Sequence, residues 1–243
     1  MSLPFTVLEF DPKSTAKKVD GAAIIMLQEW WGINDTIKSH AQHLSDLTGI
    51  HIAVPDLYKG KVGLTAEEAS HLMNGLDWEL AVKELGQLVE HLRGQGYAKI
   101  GAIGFCMGGA LSLALASAAT QAKAPIQAAI ACYGTPPDDF KVESITPETA
   151  VQGHFAGKDK QVGFSDPAAA DALEVKLAHL GNRCNIFRYP EQGHAFLNDD
   201  DWGISKRKEL GFVSKEIDPK KDEQAVRDQA WQRITLLFLD TLQ

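Results

Sequence analysis

Lys99-Ile-Gly-Ala-Ile-Gly-Phe105 runs into Cys106-Met-Gly-Gly109 and on into Ala110-Leu-Ser-Leu-Ala-Leu-Ala116. The first part is almost continuously apolar, as expected of a strand buried on both faces. The last part is helix-forming. Between them Gly104, Cys106 and Gly108 have the spacing of a strand-turn-helix elbow, G-x-S-x-G, with cysteine at its centre. Such a turn puts its central residue in a strained conformation, where side chains two positions to either side would collide. It also sets the sulfur at a helix N-terminus, whose partial positive charge favours a thiolate. A phosphate-binding loop is the competing reading of the glycines, but the Lys-Ser/Thr that such a loop needs is missing.

Outward from this stretch, short apolar runs alternate with helical patterns. The predicted strands cover residues 22–27, 51–54, 99–105, 128–133, 151–156 and 184–189. Helices are predicted near 36–48, 65–93, 107–120, 167–180 and 223–242. The last places Arg227, Trp231, Ile234 and Phe238 at helical spacing, a stripe read as core packing. This alternation predicts a mostly parallel sheet with helices on both faces, in three layers and one domain over residues 1–243. In such sheets ligands gather at the C-terminal ends of the strands, so the residues just after each strand are the candidates for chemistry.

Composition narrows the partners. The net charge is −8 and the chain has no basic cluster, which argues against nucleic acid and anionic membrane. The longest apolar run, 22–27, is too short to span a bilayer, and no secretory leader is expected. Three cysteines, Cys106, Cys132 and Cys184, have neither metal-like spacing nor even number, so a disulfide framework, a zinc site and any metal are not expected. The expectation is a reduced, cytoplasmic protein.

A nucleophile on an elbow requires an acid and a histidine after later strands, in that order. Asp159 follows the strand ending at 156, and His194 follows the strand ending at 189 beside Gly193. Asp166 and Asp171 compete for the acid but fall in the next helix. Of eight histidines, His154 and His51 lie within strands and are read as packed. The Met107 backbone N–H is free to face a developing oxyanion, and the Trp30 N–H, after the first strand, is the second candidate donor. Glu29, a carboxylate at the end of a buried strand, needs a partner, unless its head reaches water.

Taken together, Gln28-Glu29-Trp30-Trp31-Gly32-Ile33-Asn34, Pro55-Asp56-Leu57-Tyr58, the Gly104–Gly109 elbow, Gly157-Lys158-Asp159 and Gly193-His194-Ala195-Phe196 resemble the dienelactone hydrolases (carboxymethylenebutenolidases). The resemblance covers nearly the whole chain. It implies an α/β-hydrolase fold, no cofactor, and a Cys-His-Asp triad of Cys106, His194 and Asp159 that cleaves a small ester or lactone through an acyl-enzyme. It further implies that Glu29 hydrogen-bonds the resting Cys106 thiol and takes its proton as substrate binds. Trp31, Phe196 and Asn198 are assigned to substrate binding, and the protein is expected as a monomer or small homo-oligomer.

The sequence departs from the family pattern where the substrate carboxylate is held. An arginine expected four residues after the histidine is Asn198, and the segment Thr65-Ala66-Glu67-Glu68-Ala69-Ser70-His71 has no arginine or tyrosine. Residues 203–221 form a longer segment than expected and carry Lys206, Arg207 and Lys208, which read either as a solvated loop or as a replacement anion clamp. Two further readings stay open. One is a thioesterase or other ester hydrolase on the same scaffold; the other is a non-catalytic small-molecule binding module.

Overall fold

The computed structural model describes residues 3–13 and 18–243. In chain order its elements are β1 (Val7–Phe10), β2 (Ala22–Leu27), α1 (Asp35–Thr48), β3 (His51–Pro55), α2 (Ala66–Asn74), α3 (Trp78–Gly94), β4 (Lys99–Phe105) and α4 (Met107–Gln121). Next come β5 (Ala128–Cys132), β6 (Ala150–Ala156), α5 (Pro167–Leu177), β7 (Cys184–Tyr189), α6 (Asp201–Glu209), α7 (Pro219–Asp222) and α8 (Gln224–Leu242). The strands form one seven-stranded sheet in the order β1-β3-β2-β4-β5-β6-β7. Only β1 runs antiparallel, against β3; every other neighbour pair is parallel.

The apolar strands sit where their composition demands. All six residues of β2 are buried. Because side chains alternate across a strand, Ala23, Ile25 and Leu27 join the core beneath α3 and α4, while Ala22, Ile24 and Met26 join the core beneath α1 and α8. Helix α4 is buried continuously from Met107 to Ser117, as its uniformly small and apolar sequence requires. Helix α8 lays Arg227, Trp231, Ile234 and Phe238 against the opposite face, all buried. It comes so close to β4 that a Cβ on Gly101 would meet the Phe238 ring at 2.6 Å. Among the described residues no helix is long and apolar enough to cross a membrane.

Three elements differ from the sequence reading. Strand β1 is additional: four residues on the sheet edge, only partly buried, with no strong alternation to mark them. The helix predicted over 65–93 is two helices, because Gly75 ends α2 and the Asp77 carboxylate caps α3 by accepting the Leu80 N–H. Residues 203–221, read as a loop or clamp, contain most of α6 and most of α7. Helix α6 is capped by Asp200, which accepts the Gly203 N–H.

Candidate active site

Five strands deliver their C-terminal ends to one place. Cys106 follows β4, at φ 53° and ψ −118°, a backbone conformation that an L-residue occupies only under constraint. The constraint is visible: a Cβ on Gly104 would run into the Gly108 carbonyl, and one on Gly108 into the Leu27 carbonyl. The Cys106 N–H is held by the Cys132 carbonyl at 2.9 Å. Gly134, after β5, packs its Cα against the Cys106 carbonyl, where a side chain would not fit. Met107 is the first residue of α4, whose N-terminus no side chain caps. First-turn amides have no intrahelical acceptor.

After β7 the chain carries His194 into the same space. Gly193 passes against the Phe212 carbonyl with no room for a Cβ, and Ala195 turns the chain at φ 57°. His194 Nδ1 donates to Asp159 Oδ2 at 2.6 Å, and the other Asp159 oxygen accepts the Gln161 N–H at 3.0 Å. Ser165 Oγ also lies 3.2 Å from Nδ1. The ring is buried between Tyr133 and Phe212. Burial disfavours the imidazolium. The negative field of the neighbouring Cys106 sulfur and the hydrogen-bonded Asp159 carboxylate outweigh that effect and push His194 up to about 10.

Glu29, after β2, is buried, and its partner is Asn198. The Asn198 side-chain amide donates to both carboxylate oxygens, at 3.2 and 3.0 Å. Asn198 Oδ1 in turn accepts from His40 Nε2 at 3.1 Å. Burial raises the Glu29 carboxyl above the ordinary carboxylate range, against the Asn198 hydrogen bonds and the positive field of His194 and Arg207. The thiol expected as its partner is not among the hydrogen bonds of Glu29; the donor there is the amide of Asn198, four residues after His194.

A cavity of about 750 Å³ opens over Cys106 and His194. Its walls come from Trp30, the α2–α3 junction (Met73, Leu76, Trp78), the loops after β5 and β6, and Phe212. The two loops are tied together, since the Thr135 N–H and hydroxyl both donate to the Phe164 carbonyl, at 2.9 and 2.7 Å. The three residues assigned to substrate binding from the sequence do not line this cavity. Trp31, Phe196 and Asn198 are 3%, 0% and 2% exposed. Trp31 packs on Trp202, and Phe196 between Tyr133 and Tyr189. Asn198 turns inward to Glu29.

The basic triplet is also accounted for. Arg207 is 1% exposed and makes a two-pronged ion pair with Glu223, at 2.7 and 3.1 Å. It reaches the His194 carbonyl through Nε at 3.4 Å and the Asn198 carbonyl at 3.5 Å. Lys206 pairs with Glu209 and lies over the Trp31 ring, and Lys208 donates to the Lys215 carbonyl. None lines the cavity, so they are neither a loop nor an anion clamp.

His40 and Ser165 were not anticipated. His40 lies on the buried face of an ordinary amphipathic helix, and Ser165 in an irregular loop. Neither has a local signal. The histidines read as packed are packed: His154 bonds the Tyr189 hydroxyl at 2.8 Å and is lowered by burial to about 3, and His51 meets Asp11 at 3.2 Å.

The dienelactone hydrolase family model matches residues 8–242. This chain belongs to that family. It is 28% identical over 197 residues to carboxymethylenebutenolidase of Pseudomonas putida, covering 76% of this chain and 79% of that one. It is 26% identical over 202 residues to protein usf of Aquifex pyrophilus, covering 75% and 79%. Among solved structures, a dienelactone hydrolase-like promiscuous phosphotriesterase from metagenomic libraries superposes at TM-score 0.70 with 19% identity, covering 98% of this chain and 99% of that one. The Est1E protein of Butyrivibrio proteoclasticus, solved with ferulic acid, superposes at 0.57 with 14% identity, covering 87% and 96%. These structural likenesses speak to the fold, which is the α/β-hydrolase fold. Membership in the family makes the chain a hydrolase.

Proposed function

We propose that this dienelactone hydrolase-family member cleaves carboxylic esters or lactones with Cys106 as nucleophile, His194 as general acid and base, and Asp159 as the group that orients and charges His194. The observation that carries this reading is the 2.6 Å hydrogen bond that holds His194 against Asp159, with one cavity opening over both His194 and Cys106.

The chemistry follows from the geometry. The sulfur attacks the carbonyl carbon, and the carbonyl oxygen takes up the displaced electron pair. The Met107 and Trp30 N–H groups, at the helix start and after β2, are the donors for that oxygen. Collapse of the tetrahedral species expels the alkoxide, which receives the proton carried by His194, leaving a thioester on Cys106. Water then attacks the thioester carbonyl, giving its proton to His194, and the acid departs as the sulfur regains its starting state. Asp159 holds the ring through Nδ1, so that Nε2 handles the proton. Glu29 is a positioning residue in this scheme. Its carboxylate acts on His194 through its field, fixed by Asn198, rather than by accepting the thiol proton.

Cys106→Ala tests the assignment. Turnover of 4-nitrophenyl acetate should vanish while circular dichroism stays unchanged. Retention of more than about a tenth of wild-type kcat would overturn Cys106 as nucleophile.

A further inference from the structure

The charge content of the cavity has a chemical meaning. Among the described residues, no Lys, Arg, Asp or Glu lines it. Its walls are Trp30, Met73, Leu76, Trp78, Phe164 and Phe212, with Val162, an almost fully exposed apolar side chain, at its rim. Two polar side chains that line it, Asn74 and Gln161, are neutral and exposed. The Thr135 hydroxyl is already engaged by the Phe164 carbonyl. The cations of α6 are committed elsewhere: Arg207 to Glu223, Lys206 to Glu209 and Lys208 to the Lys215 carbonyl.

We propose that the cavity selects esters whose buried portion is uncharged and apolar, an alkyl chain of several carbons or an aryl group, and rejects substrates that carry a carboxylate into it. This inference rests on the hydrolase reading above and specifies its substrate class. An anion entering an apolar cavity loses its water, and the one cationic group on the wall, His194, is already committed to Asp159 and the field of the Cys106 sulfur, so no free counter-charge offsets that loss. An apolar group entering the same space gains about fourfold in affinity for each methylene removed from water. The volume, about 750 Å³, falls within the range that encloses drug-sized ligands.

The test is a matched pair, 4-nitrophenyl valerate and mono-4-nitrophenyl glutarate, whose chains are equally long and differ in ending as methyl or carboxylate. The wild-type kcat/KM should favour the valerate by about 100-fold or more. Along the acetate, butyrate and hexanoate esters it should rise by roughly threefold to fourfold per methylene. Gln161→Arg and, independently, Asn74→Arg should each narrow the valerate–glutarate gap by about tenfold, by improving the glutarate. Equal or better use of the glutarate by an enzyme that turns over both esters would overturn the inference and leave the hydrolase reading intact. A different pattern marks failure of the hydrolase reading alone: no ester is turned over, yet Cys106→Ala is still stabilised in a thermal melt by 4-phenylbutanamide and not by 4-phenylbutanoate. Absence of both turnover and that preference overturns the two together.

Discussion

Asn198 donates its side-chain amide to both oxygens of Glu29, and the pair is buried beside the histidine of the site. A neutral donor thus stabilises a carboxylate where the family pattern places an arginine. An amide offsets less of the burial cost of an anion than a guanidinium would.

Stability should therefore depend on pH through Glu29. Its folded-state carboxyl titrates above its ordinary 4.5, so the native chain keeps this proton to higher pH than the unfolded chain does. The contribution is most favourable below 4.5 and is lost as pH rises from there through the raised native value. Glu29→Gln removes that slope. Its urea midpoint, compared with wild type, should improve progressively as pH rises above 4.5. A difference that stays constant as pH rises would contradict the shift. Asn198→Ala should cost about 1–3 kcal/mol and steepen the pH dependence, because the carboxylate loses both hydrogen bonds.

His194 should lose its proton more easily when either supporting neighbour is neutralised. Burial opposes the imidazolium, and the Cys106 sulfur and Asp159 sustain it up to about 10. Imidazole NMR of Cys106→Ala and of Asp159→Asn should show titration at least about one pH unit lower in each. Asp159→Asn should also lower kcat by about 100-fold to 10,000-fold. An unmoved titration in Cys106→Ala would mean that sulfur and ring do not interact.

Arg207 links stability to the site. Removing either partner of its buried pair with Glu223 should cost about 3–5 kcal/mol by urea denaturation, because a charge is left alone in the core. Replacing both, as Arg207→Met with Glu223→Leu, should recover most of that. Turnover should not recover with it, since Arg207 also reaches the His194 and Asn198 carbonyls. Full recovery of kcat in the double variant would make Arg207 purely structural.

Iodoacetamide near neutral pH should place one carbamidomethyl group on the native protein, on Cys106, which mass spectrometry of peptides can locate. Cys132 is fully buried and held well above its ordinary range by burial, and Cys184 is pushed up to about 11 for the same reason. Labelling of Cys184 at a rate comparable to Cys106 would contradict this.

Much of the scaffold was legible in the sequence because its signals are local. Continuous apolar runs flagged β2 and β4, and the glycines around Cys106 marked a turn that tolerates no side chain. Asp159 and His194 were legible because the fold gathers the loops after its parallel strands at one edge of the sheet. The short edge strand β1 and the charged helix α6 were missed, since neither has the periodic burial that betrays an element, although Asp200 and Gly211 bracket α6 as cap and stop. The surroundings of the site were the least legible. His40 meets Asn198 across 158 positions, and the direction in which Asn198 points is set by the turn at Ala195. Trp31 and Phe196 adjoin site residues in the chain but face away from the cavity, because neighbours along an irregular segment need not share a direction.

The cavity wall is drawn from the α2–α3 junction, two tied loops and the segment after α6, all outside the strands. Cys106 and His194 are fixed instead by sheet ends and by glycine contacts with no room for a Cβ. Heritable change in what is accepted and heritable change in how bonds are broken thus fall on different stretches of the chain. On this plan, point changes in the wall alter which compounds fit without touching the glycine contacts that hold Cys106 and His194.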